Sequence, residues 1–360
     1  MKRIAAASLF RGLPRVSLLR SASFLFLPPS PGPSMSLGTG PSTGRASAPL
    51  ARALARPRSY LFLGLLLALL ACAAAPPRAA AASRHAATPP AASTTAATTA
   101  RAEAPTEAVV VLARLSHDPE AFTQGLVLHQ GALFESTGLY GQSSLRRLDP
   151  STGRVLARQP LPRKLFGEGL AACETKPRRL VQLTWREGVI RSYDPASLRL
   201  VAEHPLRGEG WGLACNGAEL TLSDGTDTLR FLKAQTLAET GEARRVYDGA
   251  RPVVRLNELE WVNGWLVANI WGEDRLAVIR PDAGPGGWRV ALWLDLSPLR
   301  RELHPRAETA NGVAFDPAAQ GGRGALYLTG KRWNTLFVAA LPALMRQPPQ
   351  GGAARATGRE

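Results

Sequence analysis

Across residues 105–345 the apolar positions seldom keep the three-to-four spacing of an amphipathic helix. They fall in short runs rich in Val, Leu and Ile, separated by turn signals such as "DPSTG", "DPASL" and "DAGPGG". That pattern predicts an all-β domain. Five segments then repeat one another: "TQGLVLHQGALFEST", "GEGLAACETKPRRLVQLTW", "GWGLACNGAELTLSDG", "LNELEWVNGWLVANIW" and "ANGVAFDPAAQGGRGALYLTGK". In each, a polar or aromatic residue precedes Gly (Glu in the fourth) and then Leu or Val; a turn and a second apolar strand follow. The leading residues are Gln124, Glu168, Trp211, Asn257 and Asn311, at spacings of 44, 43, 46 and 54. A further strand pair follows each hairpin, and four strands per repeat at this period predict a β-propeller of five blades. The fifth repeat has only one strand, "TLFVAALPAL", after its hairpin, so the stretch Glu107–Leu115, "EAVVVLARL", is expected to supply its outer strand and close the ring.

Blade geometry explains the sharpest oddity in the sequence, the carboxylate of "FGEGL" set between glycines in an otherwise apolar strand. Inner strands begin beside the central axis, so the five leading residues should converge on one mouth of the channel. The second strand returns antiparallel to the same face, adding Glu135, Ser136, Thr137, Trp185, Asp224, Trp271 and Lys331. Aromatic walls with a few convergent polar groups are what a small-molecule pocket requires.

Charge changes the picture less than its total suggests. The chain has 360 residues and a formal charge of +16, but residues 1–100 hold eleven Lys and Arg and no acid, which leaves residues 101–360 at only +5. The excess belongs to a leader, and no nucleic-acid partner is expected. Within the leader, the basic "ARALARPRSY" precedes an eleven-residue apolar run, Leu61–Ala71, too short for a stable span and suited to a secretory signal. Its end, Leu69-Leu70-Ala71-Cys72, resembles a bacterial lipoprotein signal, with an ordinary cleavage site as the alternative. Residues 1–50 resemble no known signal, so the coding start is expected further on. The expected organisation is a leader and signal over 1–72, an Ala/Thr/Pro-rich linker over 73–104, a catalytic propeller over 105–345 and a disordered tail over 346–360. The expected location is the periplasm or a bacterial outer membrane reached through a lipid on Cys72, or otherwise secretion, and the expected state is a monomer. Beyond the signal only Cys173 and Cys215 remain; both a disulfide and two free thiols are open.

Several chemistries lack their motifs. The five histidines show no HExxH or other ligand spacing, and there is neither a GxSxG elbow nor a P-loop. "GEGWG" lies between strands with no following helix, so it is no dinucleotide fingerprint. No metal or cofactor is expected, and the chemistry must run on Glu, Lys, amides and aromatics.

In order along the chain, "FTQGL", "LFESTGLYGQSSLR", "FGEGL", "QLTW", "GWGL", "SDGT", "LNELEW", "ANIW", "NGVAFD" and "LTGKRW" resemble the plant and bacterial type of glutaminyl-peptide cyclotransferase, a five-bladed propeller family, from about His117 to Leu341. The longer hairpins at "ETKPRR" and "GGRGA", and "GKRWNTLF", depart from the family pattern away from its functional positions. The resemblance implies cyclisation of an N-terminal glutamine of peptides or proteins to pyroglutamate with release of ammonia. It places the active site on Phe122, Gln124, Glu168, Trp185, Trp211, Asn257, Trp271 and Lys331. In that reaction Glu168 would shuttle the proton, Lys331 or Asn257 would stabilise the oxyanion, and the aromatic residues with Gln124 would hold the substrate. Two other classes stay open: a calcium-dependent propeller lactonase, for which the mouth offers only Glu168 and at most Asp224 or Glu258, and a non-catalytic propeller binding protein at the cell surface.

Overall fold

The computed structural model describes residues 102–350 apart from 283 and 285. The expected leader with Cys72, the linker up to residue 101 and the tail from residue 351 lie outside the described residues. The described chain is all-β, with only single-turn helices at Ser297–Arg300, Ala319–Gly322 and Ala343–Arg346. No helix among the described residues is long and apolar enough to cross a membrane.

Each repeat folds as one antiparallel meander. The first runs Thr123–His129, Ala132–Thr137, Ser144–Leu148 and Val155–Pro160, and the second Gly167–Cys173, Arg179–Thr184, Val189–Tyr193 and Leu200–Pro205. The third is Leu213–Cys215, Glu219–Leu222, Thr228–Lys233 and Glu239–Asp248, and the fourth Leu256–Val262, Trp265–Ile270, Arg275–Arg280 and Trp288–Asp295. In the fifth, Ala310–Asp316, Ala325–Gly330 and Thr335–Ala340 gain a fourth strand from Val111–Ser116, which pairs antiparallel with Thr335–Ala340. The N-terminal segment is not one strand, however. Thr106–Ala108 pairs parallel with Trp288–Asp295 of the fourth sheet before the chain crosses to the fifth, so a single stretch staples two sheets. The third and fourth sheets are also joined, through a short parallel contact of Val246 and Tyr247 with Trp288 and Arg289.

The inner strands lie against one another in sequence order, and the fifth lies against the first. Their glycines permit this approach. A Cβ at Gly125 would sit 2.5 Å from the Leu170 nitrogen, and one at Gly212 only 1.8 Å from the Asn257 carbonyl oxygen. The fourth repeat has Glu258 where the others have Gly, and that side chain reaches across to two other inner strands instead. Its carboxylate accepts from the amides of Leu126 (3.1 Å) and Val313 (2.9 Å), tying three inner strands together.

The core explains why the apolar runs are continuous on inner strands and alternating on outer ones. Apolar clusters lie between successive sheets: Phe134 and Leu145 against Leu170 and Tyr193; Val181 and Leu183 against Leu213 and Leu222; Phe231 against Leu266 and Ile279. Val278 and Leu292 pack against Val313 and Phe337, and Leu326 and Leu328 complete that layer. Ala314 and Leu336 of the fifth sheet meet Leu126 and Leu133 of the first. Inner strands are therefore covered on both faces, whereas Val155–Pro160 alternates between half-buried and exposed positions.

Cys173 and Cys215, at the ends of adjacent inner strands, form a disulfide with a Cα separation of 5.7 Å, which settles the choice between bridge and free thiols. Residues flanking the expected propeller range are also tied to it. The Ala104 amide donates to Asp248 at 2.7 Å, so the linker ends before residue 104. Past Met345 the chain stays attached, because the buried Trp265 indole finds its acceptor in the Gln347 carbonyl at 2.9 Å.

Candidate active site

Glu168 opens the inner strand Gly167–Cys173 and is 5% exposed. Gln124 Nε2 donates to its Oε1 at 2.9 Å. The carbonyl of the same Gln124 amide accepts from Asn311 Nδ2 at 3.0 Å, and that nitrogen also donates to the Thr123 carbonyl. Three leading residues of neighbouring repeats thus form a relay that fixes which end of Gln124 faces the carboxylate. Burial pushes the Glu168 carboxyl well above its ordinary range; Lys331 opposes this, while Glu187 and Glu209 add to it. Lys331, equally buried, shifts the other way: burial lowers its ammonium, against the pull of Glu168 and Glu308. The two shifts run towards one another, the arrangement in which a buried carboxyl can serve as both acid and base. Lys331 Nζ lies 4.8 Å from the centre of the Phe122 ring.

The walls are aromatic. Phe166 meets Phe122, Tyr140 and Trp185 edge-on at centroid distances of 6.2, 5.3 and 5.5 Å. Trp211 meets Trp271 at 6.3 Å. Gly225, at a positive φ in the "SDGT" turn, lies so close under Trp211 that a Cβ would reach its ring at 2.7 Å. Asn257 is 2% exposed; its backbone carbonyl accepts from Ser223 Oγ at 2.6 Å, but its side-chain oxygen is buried with no partner. A sealed acceptor of this kind costs about 1–3 kcal/mol unless a ligand donates to it.

Two groups expected at the mouth are engaged elsewhere. Glu135 accepts from Thr123 Oγ1 at 2.7 Å and pairs with His117 at 2.9 Å, in a network that Arg146 completes. Asp224, read from "SDGT" as a turn residue closing the hairpin rather than a catalytic acid, does accept from Thr226 Oγ1 at 2.6 Å within that turn and faces Arg230. With Glu258 held by two amides, the carboxylates considered for calcium do not converge, and among the described residues no group of three or more His, Cys, Asp or Glu could hold a metal ion. The sequence reading missed Phe166, Tyr140, Glu187 and Glu209. Phe166 is the first letter of "FGEGL", and Glu209 stands two residues before Trp211 in "GEGWG", a stretch weighed only as a nucleotide motif.

Such a site defines a class: an all-β protein with one tuned carboxylate in an aromatic pocket, built to take a small polar head group and move its protons. The chain belongs to the glutamine cyclotransferase family, whose model matches residues 82–341. It is 40% identical over 237 residues to a glutaminyl-peptide cyclotransferase of Arabidopsis thaliana, covering 64% of this chain and 70% of that protein. It also resembles the crystal structure of Myxococcus xanthus glutaminyl cyclase, at 33% identity and a TM-score of 0.57, over 67% of this chain and all of the other.

Proposed function

We infer that the protein is a glutaminyl-peptide cyclotransferase, an acyltransferase that converts the N-terminal glutamine of peptides and proteins to pyroglutamate and releases ammonia. Family membership supports the activity, and one observation carries the mechanism: a buried carboxylate that accepts from Gln124, beside the rings of Phe122, Phe166 and Trp185 and the buried Lys331.

The α-ammonium of the substrate enters beside Glu168, which takes one of its protons. The freed amine attacks the side-chain carboxamide carbon, forming the ring C–N bond and a tetrahedral oxyanion. Glu168 returns its proton to the amide nitrogen, the oxyanion collapses to the lactam carbonyl as the bond from that carbon to the amide nitrogen breaks, and the departing NH3 carries off the surplus proton of the ring nitrogen as ammonium. Proton transfer of this sort contributes on the order of 10² to 10⁴ in rate. Lys331 is the cation suited to the oxyanion, a contribution of roughly 3 kcal/mol for one such donor. Asn257 fits a different duty from the one the sequence suggested, because its unpartnered atom is an acceptor. It holds a substrate N–H. Phe122, Trp185, Trp211 and Trp271 fold the chain end onto itself and exclude water, which supplies proximity.

In this reading the scaffold is a five-bladed propeller, supported by the five meanders and by the apolar layers between successive sheets. Export is favoured by the disulfide, a bond of oxidising compartments. In a bacterial host, Cys72→Ser should release the protein from the membrane fraction, and an unchanged distribution would count against lipidation. The activity is tested with a Gln-led dipeptide: one ammonia should be released per pyroglutamyl product, whereas binding without turnover would leave only a propeller binding protein.

A further inference from the structure

We propose that Glu209 is a positioning residue for this reaction, holding two tryptophans of the pocket in one orientation and setting the electrostatic field in which Glu168 works. The proposal rests on the cyclotransferase reading above. Glu209 lies in the connection between the second and third sheets, in "GEGWG". Its Oε2 accepts from the indole Nε1 of Trp185 at 2.8 Å and of Trp211 at 3.0 Å, so one oxygen joins side chains of two sheets. Neither indole can rotate without losing a hydrogen bond to a charged acceptor. Oε1 accepts from Arg186 Nε at 2.8 Å, and the Arg186 guanidinium lies over the Trp185 ring at 3.9 Å.

The backbone is arranged to keep that carboxylate in place. Arg230 donates to the carbonyls of Arg207 (2.7 Å) and of Glu209 itself (2.9 Å), and the Gly210 amide donates to the Trp185 carbonyl at 3.0 Å. Gly210 leaves little room for a side chain, since a Cβ there would meet the Leu206 Cδ2 methyl at 2.8 Å and Leu183 at 3.0 and 3.1 Å. A half-exposed glutamate is seldom anchored so fully.

The charged groups facing Glu168 are Lys331, which favours its anion, and Glu187 and Glu209, which oppose it; Arg186 partly neutralises Glu209. Removing the Glu209 charge should let Glu168 ionise at lower pH.

The test compares full-length wild type, Glu209→Ala and Glu209→Gln. The glutamine carbonyl can still accept from both indoles but carries no charge. Glu209→Ala should lower kcat/KM for a Gln-led dipeptide by about 10- to 100-fold, as expected for losing hydrogen bonds to a charged group. Glu209→Gln should regain most of that loss, with the acid limb of kcat/KM moved to lower pH. A second readout is independent of turnover: the indole N–H resonances of Trp185 and Trp211, assigned through Trp185→Phe and Trp211→Phe, should move upfield in Glu209→Ala and stay near wild type in Glu209→Gln. Unmoved indole resonances in Glu209→Ala would overturn the proposal, as would an unchanged acid limb in Glu209→Gln. If Glu209→Ala does not fold, Glu209→Gln alone decides through its acid limb. Wild type without turnover would sink the cyclotransferase reading and with it the proposal's catalytic part, while the resonances would still decide whether Glu209 holds the two indoles.

Discussion

Removing the Cys173–Cys215 bond, through a double substitution of both residues to alanine, perturbs the fold without touching the pocket. The bridge closes a loop with a sequence separation of 42, at the far ends of two inner strands whose near ends carry Glu168 and Trp211. On the loop-entropy estimate such a cross-link disfavours the unfolded chain by about 4 kcal/mol, against a total stability of about 5–15 kcal/mol for a domain. One kcal/mol moves Tm by roughly 2–4 °C in a body of this size, so the double variant should melt roughly 8–16 °C below the oxidised protein. Scanning calorimetry with and without reductant checks this. Wild type should fall towards the variant when reduced, and the variant should ignore the reductant. At 25 °C the variant should keep its cyclisation rate, because the bond lies away from the reacting groups. Equal melting temperatures for the oxidised protein and the variant would refute the reasoning and mean that interstrand packing alone fixes this edge.

A second expectation concerns pH. Burial opposes charge on His117, but Glu135 outweighs it and raises the imidazole pKa; burial likewise opposes charge on Glu135, which His117 and Arg146 hold below its ordinary value. The His117 contribution is present below the usual histidine pKa and lost as pH rises through the raised one, and the Glu135 contribution is present above the usual carboxylate pKa and lost as pH falls through the lowered one. His117→Gln should therefore make the decline of Tm with rising pH shallower, the part that remains coming from the buried carboxyls of Glu168, Glu258 and Glu260, whose raised pKa values also cost stability as pH rises; an undiminished decline would contradict this. Among the inner strands, Glu258→Ala strands the amides of Leu126 and Val313 and should cost about 2–5 kcal/mol. Glu258→Gln, which keeps one acceptor, should cost less, as denaturant unfolding would show, and equal losses would contradict the bridging role.

Much of this was legible in the sequence because the repeat carries two signals in one register. Gly after each leading residue marks where neighbouring backbones nearly touch, and the leading residue itself marks the mouth, so Gln124, Glu168 and Asn311 could be placed together before any coordinates. The exception at Glu258 was visible as a broken pattern, but its cause, a carboxylate spanning to two other strands, depends on contacts 132 and 55 residues away in the chain. Glu135 misled for the opposite reason. Its strand position suggested the mouth, yet His117, outside the hairpin, and Thr123, on the paired strand, hold its carboxylate in a buried network. Glu107–Leu115 read as one strand because its apolar run is unbroken, and nothing local to it shows that its first residues pair with a different sheet.

The central claim is that Glu168 carries the proton in the cyclisation. Glu168→Gln keeps the size of the side chain and its bond from Gln124 while removing the acid and base. The decisive measurement is single-turnover cyclisation of a Gln-led dipeptide, followed by ammonia release, on wild type and on Glu168→Gln of matched Tm. The account predicts a fall of at least about 100-fold in rate with substrate still bound. A near-wild-type rate in Glu168→Gln would contradict it.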